Sequence, residues 1–61
     1  MENFSLTIET VNAAFEDNAA AEIARILRQL AQRLEDDGME SGQEFVLRDL
    51  NGNKVGSAEA D

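Results

Sequence analysis

Carboxylates are the side chains with which this chain could do chemistry. Its 61 residues include thirteen Asp and Glu and five Lys and Arg, with no His and no Cys, and the formal net charge is −8. The lack of His and Cys removes disulfides, the usual zinc ligands and the commonest general base. Three uses of carboxylates remain: acid–base catalysis by a pair, ligation of a hard cation, and ionic contact with a basic partner.

Catalysis by paired acids is disfavoured by their surroundings. The acids stand in polar stretches, at 16–17, at 35–37 and at Glu40. A catalytic carboxylic acid needs an apolar pocket to raise its pKa, and a chain of this length can hardly enclose one. No His is present to activate a Ser, and there is no glycine-rich phosphate loop. We therefore expect a protein that is not an enzyme and uses no cofactor.

A calcium site is suggested by residues 49–53, DLNGN, which have the D-x-N-x-N spacing that opens an EF-hand loop. That loop needs glycine at its sixth position and a bidentate Glu at its twelfth, where this chain has Lys54 and Ala60. Gly52 instead stands where a tight β-hairpin needs it. We expect a plain hairpin turn and no metal site.

Three strands and one helix are predicted to position these groups. Residues 4–10 alternate between apolar and polar types, which is typical of a half-buried strand in an antiparallel sheet. Residues 12–18 form a connector, with a turn at 12–14 and Phe15 folded back onto the core. The side chains of the first strand predicted to face the core are Phe4, Leu6 and Ile8.

The helix is predicted to run from Ala19 to Asp37. Apolar residues recur at i, i+3, i+4 and i+7, and Asp17 or Asn18 can cap the first turn. Gly38 stands where a left-handed residue ends a helix. The apolar stripe consists of Ile23, Ile26, Leu27, Leu30, Ala31 and Leu34.

The order β-α-β-β predicts one α+β domain over residues 1–61. A right-handed crossover followed by a hairpin gives a three-stranded antiparallel sheet in the order 2-3-1, with the helix packed across one face. The hairpin strands are predicted at 44–50 and 53–57, and 57–61 is predicted to be a frayed tail. A domain this small is marginally stable, so self-association or docking on a larger partner is the expected supplement.

Two hairpin registers are open. A type I′ turn at 51–52 would place Leu47 opposite Gly56. A type I turn at 49–52, with a left-handed Gly52 in a G1 bulge, would place Leu47 opposite Val55. We prefer the second register because it puts Leu47 and Val55 on one buried face with Phe45.

The acids at the end of the helix contradict a rule of helix electrostatics. A helix C-terminus carries partial negative charge and prefers Lys or Arg in its last turn. Two explanations are open: the acids keep the protein soluble, or they stand in for nucleic-acid phosphates on a basic partner. On the second explanation, the partner-binding residues are Glu35, Asp36, Asp37, Glu40 and Glu44.

The polar face of the helix carries three of the five basic residues. One explanation is a solvated face with local ion pairs, Glu22 with Arg25 and Arg33 with Asp37. The other is a second contact surface with an arginine hot spot. The residues predicted for that secondary partner-binding surface are Arg25, Arg28 and Gln29.

Charge and hydropathy also limit the partners and the location. A net charge of −8 repels nucleic acid and anionic membrane surfaces, so neither is an expected partner. No secretory leader and no run of about 20 apolar residues is visible. We expect a cytoplasmic protein that binds a protein or ribonucleoprotein with a basic nucleic-acid-binding surface, and homodimerisation is compatible with that role.

Residues 4–56 form a recognisable frame: a short strand, NAAFEDN leading into an AAEIARIL helix, Gly38, and a hairpin reading LRDLNGNKVG. This frame resembles small acidic proteins carried by bacteriophages and other mobile elements. Some proteins of that size and charge are anti-CRISPR proteins against type I systems, several of which imitate DNA. The resemblance implies a phage-encoded inhibitor that blocks DNA binding by a type I surveillance complex in the host cell. It transfers no binding residue, and the alternative is a self-associating regulatory or accessory protein of a mobile element.

Overall fold

The computed structural model describes residues 2–61, and its elements follow the predicted order. They are strand β1 (Phe4–Ile8), a 3-10 turn (Ala13–Phe15), helix α1 (Ala19–Asp37), strand β2 (Glu44–Arg48) and strand β3 (Lys54–Ala60). The sheet has the order β1-β3-β2, and both strand pairs are antiparallel. The predicted α+β class, strand order and helix bounds are therefore confirmed.

Helix α1 begins and ends where its capping residues require. Asn18 is the N-cap, and its Oδ1 accepts a hydrogen bond from the Ala21 amide at 3.0 Å. Gly38 has a φ of +71°, which glycine adopts without steric penalty, and its amide donates to the Leu34 carbonyl. Of the two predicted N-cap candidates, the helix uses Asn18. Within residues 2–61, no helix has both the length and the apolar character needed to cross a bilayer.

The core lies between α1 and the β2–β3 half of the sheet. Among the strands, β2 lies closest to the helix. Phe15 folds back from the 3-10 turn into this core, as predicted. The buried core residues are Phe15, Ile26, Leu30, Phe45, Leu47, Val55 and Ala58.

The β1 side of the helix-facing surface is less covered than predicted. Phe4 is 39% exposed, and Leu6 and Leu27 are each 40% exposed. Ile8 and Ile23 are half-buried. Because the helix lies towards β2 rather than over the middle of the sheet, the prediction that Phe4, Leu6 and Leu27 are buried is wrong.

Strands β1 and β2 are shorter than predicted. β1 ends at Ile8 because its partner strand β3 begins at this point. The last hydrogen bond between the two strands joins the Glu9 amide to the Val55 carbonyl at 2.8 Å. β2 ends at Arg48 because the turn begins at Asp49, whose carbonyl accepts from within the turn.

Strand β3 is longer than predicted and is the central strand of the sheet. Residues 57–60 belong to it, so the prediction of a frayed tail at 57–61 is wrong. β3 is hydrogen-bonded on both sides, and Ala58 and Ala60 are 0% and 2% exposed. The small alanine side chains give no sign of a buried strand by hydrophobicity alone, although they alternate with polar residues.

The turn between β2 and β3 has the predicted type. The Gly52 amide donates to the Asp49 carbonyl at 3.0 Å, as in a type I turn, and Gly52 has a φ of +87°. The Asp49 amide donates to the Asn53 carbonyl at 2.9 Å and closes the hairpin.

Both hairpin registers occur, in different parts of the hairpin. Arg48 pairs with Lys54, whereas Leu47 pairs with Gly56. Val55 is the extra residue of the β-bulge between these two pairs. The predicted Leu47–Val55 pair is therefore wrong, although both side chains are buried, as expected.

Candidate functional site

The fold gathers distant segments of the chain at one end of the molecule. Helix α1 and strand β3 finish at this end, and β1 and β2 start from it. The Gly42 amide donates to the Ala60 carbonyl at 2.7 Å, and the Ala60 amide donates to the Gln43 carbonyl at 3.0 Å. The Asp61 amide donates to the Asn3 carbonyl at 3.1 Å. These bonds join the start of the chain, the loop after the helix and the last residues into one surface.

Eight of the thirteen acids lie in these segments and are exposed. No Lys or Arg lies in segments 2–4, 35–44 and 59–61. The other five acids are equal in number to the five Lys and Arg residues, so the eight carry the formal net charge of −8. We call this surface the acidic pole, and its acids are Glu2, Glu35, Asp36, Asp37, Glu40, Glu44, Glu59 and Asp61.

All five acids predicted to bind a partner belong to the acidic pole. Asp37 and Glu40 line a shallow open depression together with residues 41–43. Asp36 Oδ1 accepts a hydrogen bond from Gln32 Nε2 at 2.9 Å. Glu44 lies apart from them on the solvent face of the sheet, because its neighbour along β2 faces the core. Among residues 2–61, no three carboxylates converge closely enough to hold a metal ion.

Sequence reasoning missed three members of the acidic pole: Glu2, Glu59 and Asp61. They reach this end because β3 extends to Ala60 and pairs with β1. Glu59 lies directly opposite Glu44 across the β2–β3 pair, and such a like-charge pair reduces stability. The signal that could have found them is the alternation of small and polar residues in SAEA at 57–60.

Arg25, whose side chain is 33% exposed, is paired with the buried Glu22. Its Nε and Nη2 donate to Glu22 Oε1 and Oε2 at 2.7 and 2.9 Å, so the predicted Glu22–Arg25 pair is confirmed. Arg25 Nη2 also donates to the Arg48 carbonyl at 3.2 Å. Glu22 accepts the Leu50 amide as well, at 2.8 Å. The pKa of Glu22 is lowered, chiefly by the hydrogen bond from Arg25 and in spite of burial.

Arg33 also contacts β2. Its Nη1 donates to the Val46 carbonyl at 2.9 Å, and its guanidinium lies over the Phe45 ring, 5.3 Å from the ring centre. The predicted pair of Arg33 with Asp37 is therefore replaced by contacts with the strand. Arg28 and Gln29 are exposed in the middle of α1, about 9 Å or more along the helix axis from Glu35, the first acid of the acidic pole on this helix.

The carboxylate of Asp49 organises the hairpin turn. Oδ1 accepts the amides of Asn51 and Asn53, each at 2.9 Å, and Oδ2 accepts the side chains of Asn12 and Asn53 at 3.1 and 3.3 Å. Burial raises the pKa of Asp49, but these hydrogen bonds outweigh burial, so the pKa is lowered overall. The D-x-N-x-N spacing of residues 49–53 thus has a structural explanation in the turn.

The fold and the acidic pole together define a class: a small α+β protein whose charge is concentrated at one end. No protein-family model, no curated protein and no solved structure matches the chain significantly. Function must therefore be argued from the site.

Proposed function

We propose that the chain is a non-catalytic binding protein whose acidic pole docks on the basic nucleic-acid-binding surface of a bacterial complex. The observation that carries this proposal is the concentration of the formal net charge of −8 at one end of the molecule. Exposed carboxylates without intervening cations attract lysines and arginines and repel phosphates. A surface that normally binds DNA or RNA has the complementary charge.

The placement of these acids reduces the stability of the domain. Acids in the last turn of α1 oppose the helix dipole, and Glu44 faces Glu59 across the sheet. Each such arrangement costs roughly 0.3–1 kcal/mol. Acids spread evenly over the surface would serve solubility as well and would avoid these costs, so their concentration favours a binding role.

The partner that we propose is a type I CRISPR surveillance complex, on the basis of the resemblance to small acidic phage proteins. In that role the protein is a phage-encoded inhibitor that acts in the host cytoplasm. The carboxylates of the acidic pole replace the phosphates of target DNA and occupy the lysines and arginines that the DNA would contact. Arg25 and Arg33 donate hydrogen bonds to carbonyls of β2, which supports a contact made by the acids rather than by these arginines.

Competition on a purified type I surveillance complex tests the proposal. The protein is expected to displace target DNA, and its affinity is expected to fall as salt screens the ionic contacts. A complex that does not bind the protein would refute the proposal. Binding that is indifferent to salt and leaves the DNA in place would refute it equally.

A further inference from the structure

The two edges of the sheet are protected to different degrees. In the order β1-β3-β2, strands β1 and β2 each lack a neighbour on one side. On the β2 edge, the Val46 carbonyl accepts Arg33 and the Arg48 carbonyl accepts Arg25. Charged side chains that cover an edge are a common means of preventing another strand from pairing with it. The β2 edge is therefore partly covered.

The β1 edge is open. The odd-numbered residues of this segment make the hydrogen bonds to β3. At its two ends, the Asn3 carbonyl accepts from β3's side and the Glu9 amide donates to it. The amides and carbonyls of Phe4, Leu6 and Ile8 therefore point away from the sheet. Within residues 2–61, no turn or loop backbone group bonds to them. This edge can accept another strand.

The segment that forms this edge carries no charge of its own and exposes apolar side chains. Phe4 and Leu6 are 39% and 40% exposed on the helix-facing side, and Leu27 is 40% exposed on the flank of α1 away from β2. Residues 3–8 contain no charged side chain, although 30% of the whole chain is charged. A strand that paired here would gain backbone hydrogen bonds and would cover these apolar side chains.

We infer that β1 is a dimerisation edge, and that its occupant is β1 of a second copy of this chain, paired antiparallel about a two-fold axis. A pairing centred on Leu6 sets this residue opposite its equivalent in the second copy and sets Phe4 opposite Ile8. Every outward-pointing backbone group of β1 is then paired, and the two sheets become one sheet of six strands. This inference does not depend on the proposed function.

Charge selects a second copy and fixes its orientation. Two copies of a chain with net charge −8 can approach only through an uncharged region, and residues 3–8 supply one. Antiparallel pairing sends the two acidic poles to opposite ends of the dimer. At a rise of about 3.3 Å per residue, the Glu2 residues of the two copies would lie roughly 26 Å apart, which exceeds the screening length of about 8 Å at physiological salt. A strand from a basic partner would instead be drawn to the acidic pole.

Sedimentation velocity from micromolar to millimolar concentration tests the inference. The wild-type chain is expected to show a monomer–dimer equilibrium that shifts towards dimer as salt rises, because salt screens the repulsion between copies. Binding through the acidic pole would respond to salt in the opposite direction, so the two proposals can fail separately. Leu6→Lys is expected to be monomeric. Leu50→Lys, the same change at a leucine 66% exposed in the hairpin turn, is expected to dimerise like the wild type.

Hydrogen exchange on the wild-type chain supplies a readout that needs no variant. The amides of Phe4, Leu6 and Ile8 are expected to become protected as the concentration rises. The Ala60 amide, which is bonded to Gln43 within the chain, is expected to be protected at every concentration. A chain that stays monomeric at millimolar concentration overturns the inference. A dimer in which the three outward amides exchange freely, or one that only Leu50→Lys disrupts, overturns it as well.

Discussion

At the scale of single residues, Asp49 fixes the local structure of the hairpin. Its carboxylate accepts four hydrogen bonds, two from amides in the turn and two from asparagine side chains. An acceptor surrounded by four donors cannot be replaced by a group that itself donates. The acid is therefore required for the structure of the turn, whatever the protein binds.

Replacing Asp49 by Asn is expected to lower the free energy of unfolding by about 1–3 kcal/mol, because the new amide group faces the amide donors of Asn12 and Asn53. Urea denaturation at neutral pH measures the change. Asn51→Ala is the matched control in the same turn, since only the backbone amide of Asn51 contacts the carboxylate. Equal stability of Asp49→Asn and wild type would contradict the assigned role.

Acid is expected to destabilise the protein through Glu22 and Asp49. The pKa of each is below its ordinary value, 4.5 for Glu22 and 3.8 for Asp49. The unfolded chain therefore binds protons more readily than the folded one. The stabilisation is complete above the ordinary pKa values and is lost as pH falls through the lowered ones. Thermal melting at decreasing pH should show this loss, with a smaller loss in Asp49→Asn. An equal loss in both proteins would be inconsistent with this assignment.

Gly56→Ala is expected to be strongly destabilising, although the residue has an ordinary backbone conformation. A Cβ at this position would lie 1.9 Å from the Thr7 carbonyl oxygen and 2.9 Å from its carbon, so the β1–β3 pair would have to separate. We expect a loss of about 1–3 kcal/mol or more in chemical denaturation. Ser57→Ala, the next residue of β3, should change stability by less than about 0.5 kcal/mol. Comparable stabilities of the two variants would argue against the close approach.

At the scale of the elements, the sequence predicts the helix better than its position on the sheet. The caps and the apolar period of α1 are local features, so its bounds could be read directly. The rotation of the helix about its axis could not be predicted from the sequence. It depends on Glu22 and Arg33, which lie on the flank of the helix that contacts β2 and its turn. These contacts turn Leu27 outwards although it fits the apolar stripe. The full length of β3 was missed because its buried residues are alanines and its partners are distant in sequence.

A pair of leucine substitutions tests this position of the helix. Leu30→Ala, at a residue 4% exposed, is expected to cost about 2–5 kcal/mol, enough to unfold much of so small a domain. Leu27→Ala, at a residue 40% exposed, is expected to cost clearly less. Thermal and urea denaturation of the two variants measures the difference. Similar losses would mean that the stripe is buried symmetrically, as the sequence alone predicts.

At the scale of the whole molecule, the formal net charge is concentrated at one end, whereas the open sheet edge runs along β1. The five acids predicted from the sequence lie on the acidic pole, because the end of a helix and the loop after it are neighbours in sequence. Glu2, Glu59 and Asp61 join them only through the pairing of β1 with β3. The hydrogen bonds of Arg25 and Arg33 to β2 could not be predicted from the sequence either, since they depend on which strand forms the edge beside the helix.

The decisive measurement compares two charge-reversal variants in DNA competition on a purified type I surveillance complex. Both reverse three exposed acids, so both change the net charge from −8 to −2, and melting curves verify that each is folded. The pole variant carries Lys at Asp36, Asp37 and Glu40. The control variant carries Lys at Glu9, Glu16 and Asp17, at the opposite end of the molecule.

The pole variant is expected to lose the ability to displace DNA, while the control variant keeps it, because only the pole variant removes carboxylates from the proposed contact. Lysines suit the C-terminus of α1 better than the acids do, so loss of binding in the pole variant would not be explained by unfolding. Equal competition by the two variants, whether both retain it or both lose it, would contradict the proposal that the acidic pole is the binding surface.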